Sequence, residues 1–327
     1  MPWKDTQSKT QRKKRIKLAL IVLLFVVGLI FLSWAIRFTQ NLFASTVPRN
    51  YHWSGEFNIN LVLRTSDISV LSYNPKEEKI IILNIPDETF LQVPHGFGYW
   101  QIRAVYDLGQ EPLLKETLTS FLGVPIDGFI DLGAMSSQKS TAQVVALIRE
   151  NPFSGINLLS NLKTDLTIWE LINLKRGISA VRFDKIKELD LGQADVLDKS
   201  SLSDGTQIYT ADPVKLDTIM SDLADPAVLA EHKSIAVFNA TDKPQLAQQW
   251  ARLINNLGGN VIITTNAKKR TKNTQVFGEE SQTLKRLRQI FELDCQNNPK
   301  CGRIAPSDED LTASRAQINI FLGEDNL

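Results

Sequence analysis

The sequence predicts an α/β protein behind a single N-terminal transmembrane helix, with a layered α/β/α domain followed by a smaller C-terminal α/β domain of βαβ type. Three observations predict it. Residues 18–36 carry no charge and no proline; β-rich and helical stretches alternate from residue 57 to 223; and a fresh strand, helix and strand begin after Lys233. Alternation of this kind puts helices against the faces of a sheet.

At about 1.5 Å per helical residue the uncharged run reaches roughly 28 Å, close to the ~30 Å hydrocarbon core. Only Gly28 and Ser33 interrupt its Leu, Ile, Val, Phe, Ala and Trp residues, whereas a buried helix of a soluble domain shows polar residues at helical spacing. Lys4, Lys9, Arg12, Lys13, Lys14, Arg15 and Lys17 face the single acid Asp5. That basic tail, 1–17, stays cytoplasmic by the positive-inside bias, so the chain after the span 18–37 is expected outside the cell. A cleaved signal peptide is the competing reading, but its apolar region is usually shorter and Leu42-Phe43-Ala44 makes a poor cleavage site. Trp34 suits the outer interface and Arg37 marks the exit. Beyond Arg37 stand 29 basic and 35 acidic residues, a charge of −6 that argues against a nucleic-acid partner.

Residues 38–56, with Pro48, read as a juxtamembrane linker leading to a domain over 57–226. Residues 57–63, 68–73 and 79–84 are β-rich, with Asn74-Pro75-Lys76-Glu77-Glu78 as the turn of a hairpin. The run Ile80, Ile81, Ile82, Leu83 and Ile85 is that of a strand buried on both faces. Residues 94–100 carry turn chemistry with exposed aromatics. Segments 102–106 and 113–122 have helical spacing, and Gly123 suits a C-terminal stop. A strand is expected at 129–132 and a helix at 141–149. Thr167 and Glu170 form a capping box for a helix over 168–175 that Gly177 stops. Residues 185–191 and 207–210 read as a strand pair and 213–223 as a closing helix. In the second domain, 233–327, strands are expected at 234–240, 260–265, 274–277 and 316–322, with helices at 244–257 and 281–292.

Cys295 and Cys301 are the only cysteines. Outside the cell the five-residue spacer allows a small-loop disulfide; free thiols and a metal site are the alternatives, the last lacking nearby histidines.

This arrangement resembles the LytR-CpsA-Psr family of bacterial envelope proteins followed by the small C-terminal domain found in that family. The resemblance rests on the strand ending Ile85-Pro86 with Asp67 behind it, on Ala104, Tyr106 and Gly109, and on Phe121-Leu122-Gly123-Val124-Pro125-Ile126-Asp127. In the second half it rests on Val237-Phe238-Asn239-Ala240-Thr241 and the terminal strand 318–325. It implies a protein that carries envelope glycopolymer from a polyprenyl-pyrophosphate carrier to peptidoglycan at the outer membrane face, using Mg²⁺, carboxylates and several arginines.

The chain departs from that pattern at its centre. The family's Pro-Arg-Asp-Thr stands here as Pro86-Asp87-Glu88-Thr89, an acid replacing the arginine, while Glu88 keeps a carboxylate. The preceding loop is shortened to Arg64-Thr65-Ser66-Asp67, and Gln101 replaces a lysine, with Arg103 two positions on. An acid beside pyrophosphate turns attraction into repulsion. Asp67 and Glu88 are thus the candidate catalytic and Mg²⁺-binding residues, and Arg64, Arg103 and Asp87 the candidate ligand-binding residues. The bland alternative makes the acids solvated turn formers and the arginines surface ion-pair residues. Three readings follow: a pseudoenzyme that binds a glycopolymer, polyprenyl-phosphate carrier or wall component; a Mg²⁺-dependent phosphotransferase in which Arg64 and Arg103 replace the lost arginines; and a non-catalytic envelope scaffold. An enzyme would gather Asp67, Glu88 and two arginines at the mouth of a deep apolar pocket.

Overall fold

The computed structural model describes residues 24–29, 33, 51–132, 140–150, 163–293 and 314–326. The chain divides into two compact units, residues 1–46 and 47–327. In the first, residues 24–29 and 33 are helical and exposed. Among the described residues no helix is long and apolar enough to cross a membrane; most of the expected span 18–37, and both Cys295 and Cys301, lie outside them.

The second unit is built on two sheets. The larger has six strands: β1 (Ile59–Arg64), β2 (Ile68–Asn74), β3 (Lys79–Ile85), β6 (Gly128–Asp131), β7 (Lys163–Thr164) and β8 (Ile186–Asp190), in the order β7-β6-β1-β2-β3-β8. β2 is antiparallel to both β1 and β3, β6 runs parallel to β1 and β8 parallel to β3, so β1, β3, β6 and β8 share one direction. The β2–β3 hairpin closes as expected, with the Asn74 side chain accepting from the amides of Lys76 and Glu77. Both faces of the sheet are covered. On one, Val62, Val70, Leu83 and Ile85 pack against helices α1 (Ile102–Leu122) and α4 (Pro213–Met220). On the other, Leu61, Leu71, Ile80 and Ile82 pack against α2 (Thr141–Glu150) and α3 (Ile168–Ala180). Strands buried on both sides read as continuous apolar runs, which is why β3 was legible.

α1 is two helical pieces joined at a break, as the two separate periodic segments predict. Gly109 and Gln110 leave helical geometry ahead of Pro112, and a Cβ at Gly109 would meet Leu113 at 2.6 Å. Gly123 ends α1 in the left-handed region, its amide donating to the Thr119 carbonyl. The capping box of α3 is present, with Thr167 and Glu170 reciprocally bonded.

Three expectations are corrected, and one strand was not expected. Gly177 does not stop α3 but lies within it, because a Cβ there would sit 2.4 Å from the Tyr73 hydroxyl oxygen; the residue is small for packing, not for chain reversal. Segments 185–191 and 207–210 are strands but not partners: β8 joins the large sheet beside β3, while β10 (Gln207–Ala211) pairs with β9 (Leu197–Ser201). β9, Leu-Asp-Lys-Ser-Ser, is too polar to show a strand pattern. Part of the 94–100 turn is strand: β4 (Phe90–Val93) and β5 (Gly98–Gln101) form a second hairpin carrying Tyr99 and Trp100.

The smaller sheet is ordered β12-β11-β14-β13, from β11 (Ser234–Asn239), β12 (Asn260–Asn266), β13 (Gln275–Gly278) and β14 (Ile318–Leu322). β11 is parallel to β12 through helix α6 (Leu246–Asn256), the expected βαβ unit. α6 and α7 (Gln282–Ile290) cover one face around Ile235, Val237, Leu284 and Ile320. The other face carries Phe238 stacked on Phe321 at 4.7 Å.

The two sheets are joined by buried polar contacts. Arg286 of α7 is fully buried, and its Nη2 donates to both carboxylate oxygens of Asp127 at 3.0 and 3.1 Å and to the Asn58 carbonyl. Asp225, also buried, accepts from the Asn58 amide and caps α5 (Pro226–Glu231) through the Ala227 amide. Arg252 of α6 pairs with Asp217 and donates to the carbonyls of Ser120 and Phe121 at the end of α1. A cation at a helix C-terminus meets the negative end of the macrodipole.

Candidate functional site

The predicted site residues gather at the carboxyl ends of the parallel strands, where open α/β sheets place their ligands. Arg64 ends β1 and Asp131 ends β6, direct partners in the parallel register. Asp67 sits in the tight turn into β2, where the Thr65 amide donates to its carbonyl and the Ser66 hydroxyl to its carboxylate. Ile68 opposes Ile85, so the residues beyond β3 lie at the same end. There Pro86 to Thr89 close a turn, with the Thr89 amide bonded to the Pro86 carbonyl and the Glu88 carbonyl accepting from Tyr209 of β10.

Charge is unbalanced at this end. Asp87 is half-buried, and burial first, then the neighbouring Asp67 and Glu88 carboxylates, push its pKa up against the opposing pull of Arg103. Arg103 is exposed on the first turn of α1. Arg64 does not reach toward this group as a clamp. Its Nη1 donates to Asp131 at 3.1 and 3.3 Å, and its guanidinium lies 4.2 Å from the centre of the Tyr106 ring. Tyr106 donates to the same Asp131 and stacks on Phe129, and burial, then Asp131, push its hydroxyl pKa up.

Two further observations describe this end of the sheet. Among the described residues no group of three or more His, Cys, Asp or Glu side chains could hold a metal ion. Behind the site Val62, Val70, Leu83, Leu114 and Leu118 pack together without solvent exposure. Asp67, Asp87 and Glu88 share a neighbourhood, but with Arg64 engaged and Asp87 in an arginine's place, these residues do not fit a magnesium-pyrophosphate centre.

A second feature was not read from the sequence. An open groove of about 1620 Å³ runs between the β4–β5 hairpin, the second half of α1 and the start of α6. Tyr99, stacked on Phe90 at 5.6 Å, lines it, as do Glu111, Glu116, Asp242 and Trp250. Lys115 also lines it but is committed to Asp165 at 2.7 Å, a carboxylate that further accepts from the Phe129 amide. Acids outnumber available cations along this groove, and none of the sequence-predicted site residues lines it. Of the exposed aromatics of 97–100 only Tyr99 lines it; its far wall comes from residues more than a hundred positions later.

Several solved structures and one family model are similar to parts of this chain. TagT of Bacillus subtilis is 15% identical, with 53% of this chain and 92% of that chain covered and a TM-score of 0.41. TagV of the same organism is 14% identical over 52% and 97%, TM-score 0.43. A LytR-CPS2A-psr family protein, YwtF (TagT), with bound octaprenyl pyrophosphate lipid, is 16% identical over 55% and 94%, TM-score 0.40. No curated protein matches. Residues 233–325 match the family model described as LytR cell envelope-related transcriptional attenuator, in keeping with the expectation drawn from the strands at 237–241 and 318–325.

Proposed function

We propose that this chain is a membrane-anchored cell-envelope protein whose 57–226 domain is a diverged LytR-CpsA-Psr-like domain, holding a glycopolymer without efficient transferase chemistry. The N-terminal tail would be cytoplasmic, the span 18–37 the anchor, and the rest extracytoplasmic. The observation that carries the reading is the state of two positions at the sheet's carboxyl end. Asp87 stands where the family places a guanidinium, its carboxyl pushed up by burial and then by its acid neighbours, and Arg64 is tied to Asp131 and Tyr106. A di-anionic pyrophosphate brought there meets repulsion rather than a clamp.

Polymer binding is better supported in the groove. An exposed tyrosine face beside acids and amides is suited to stacking and hydrogen bonding with sugars, and its acidic lining favours a neutral glycan over a polyanionic one. The likeness to a structure holding octaprenyl pyrophosphate keeps the lipid carrier in the test.

The test uses the full chain in detergent. Binding of a β-1,4-linked N-acetylglucosamine oligomer is followed by saturation-transfer NMR, and transfer from a lipid-linked polymer to peptidoglycan is assayed with Mg²⁺. Saturation transfer to the oligomer that is lost in Tyr99→Ala, with no polymer-peptidoglycan product, is expected. Product formation would replace the proposal with the phosphotransferase reading. No binding and no product would leave a scaffold.

A further inference from the structure

Helix α3 has two faces of opposite character. Glu170, Leu174 and Ile178 point inward, while Trp169, Ile172 and Arg176, at the i, i+3 and i+7 positions of the other face, are exposed. Trp169 is 75% exposed and Ile172 42%. Three residues beyond the helix Phe183 is 73% exposed, held from below by the Arg149 guanidinium 3.8 Å from its ring centre. A tryptophan, an isoleucine and a phenylalanine left in water within fifteen residues are not required by the fold, since the core on this side is completed by the inward face.

The charges around them are sorted. Of the acids between 163 and 185, Asp165 turns inward to Lys115 and the Phe129 amide, and Glu170 turns inward to the amides of Trp53 and Thr167. Asp184 alone is exposed, paired with Arg182. Lys163, Arg176, Arg182 and Lys185 are exposed. Residues 163–185 thus expose four basic side chains against one acid, with Glu77 and Glu78 of the β2–β3 turn beside Lys185 and Tyr73, on a chain whose residues beyond Arg37 sum to −6.

We propose that this face of α3, with Trp169, Ile172 and Phe183, rests on an anionic lipid surface. Indole prefers the headgroup level, isoleucine and phenylalanine enter the acyl boundary, and arginine and lysine meet lipid phosphates while burying their stems. The local reversal of charge selects an anionic bilayer over a neutral one. The contact is independent of which polymer the groove takes, and the test below reads it without polymer.

The full chain, with Cys295→Ser and Cys301→Ser, receives Ile172→Cys for labelling with an environment-sensitive nitrobenzoxadiazole dye. A second version carries the label through Ser203→Cys in the exposed β9–β10 turn. Both are reconstituted into vesicles of phosphatidylcholine alone or with phosphatidylglycerol. The label at 172 is expected to shift to the blue and to be quenched by spin-labelled lipid in the phosphatidylglycerol vesicles, and the label at 203 to do neither. Arg176→Glu with Arg182→Glu should return the 172 signal to its phosphatidylcholine level. Equal signals at 172 and 203 would overturn the proposal, as would equal signals at 172 in the two vesicle types. So would burial of the 172 label in detergent without vesicles, which would mark a protein partner or a second copy. Loss of glycan binding with the lipid signal intact would strike the groove reading alone.

Discussion

Asp87 is held in a place where ionisation is opposed by burial and by Asp67 and Glu88, with Arg103 as partial relief. A folded pKa above the unfolded value means that the charged form weakens the fold. That penalty is full above the folded pKa and disappears below the unfolded value near 3.8. Asp87→Asn is therefore expected to raise Tm at neutral pH and to lose the advantage as pH falls toward 3.8, which thermal unfolding across pH measures; no gain at neutral pH would refute it. Asp87→Arg, in contrast, is expected to strengthen binding of a polyprenyl phosphate over the native chain, readable by fluorescence of a labelled lipid. The Pro86 to Thr89 substitution was legible in the sequence because it lies inside a contiguous motif. The engagement of Arg64 was not, since Asp131 is 67 residues away and only the parallel pairing of β1 with β6 brings the two together.

Among the elements, those with strong periodicity or local turn chemistry were readable: β1 to β3, the broken α1, the capped α3 and the β11-α6-β12 unit. β9 escaped because half-exposed polar strands lack a two-residue pattern, and the partner of β10 was misassigned because pairing is a long-range property. Gly177 was misread for a related reason. A glycine at a helix end and a glycine under a tyrosine look alike in one dimension. Gly177→Ala gains helix propensity of up to ~1 kcal/mol but drives a methyl into Tyr73, and overpacking of this kind costs about 1–3 kcal/mol. Net destabilisation in urea is expected, and removal of the hydroxyl by Tyr73→Phe in the same background should recover part of it. A Gly177→Ala chain more stable than the native one would disprove the packing role.

Across the molecule, the two sheets behave as one body because their joint is polar and buried rather than loosely apposed. Arg286 has no exposure and its pair with Asp127 is closed on one side by Asn58. Removing one partner of such a pair strands the other, so Arg286→Ala should lose about 3–5 kcal/mol by chemical denaturation, far beyond a surface arginine. Nothing in the local sequence Gln-Thr-Leu-Lys-Arg-Leu-Arg distinguishes the buried Arg286 from its neighbour Arg288, whose side chain is paired with Glu280. Arg252→Ala combined with Arg286→Ala is expected to split a single unfolding transition of residues 47–327 into two, with tryptophan fluorescence and circular dichroism no longer coincident. Coincident transitions in the double variant would mean that apolar contacts alone couple the sheets.

The position of Arg252 has a consequence for the order of events during synthesis. The carbonyls that end α1 receive their guanidinium from a residue about 130 positions later, and the start of β1 waits for Arg286, later still. A ribosome delivers the chain from its amino end, so the first domain emerges with the Ser120 and Phe121 carbonyls and the Asn58 carbonyl still without these guanidinium partners. Its native contacts are therefore completed only when the last third of the polypeptide has been made.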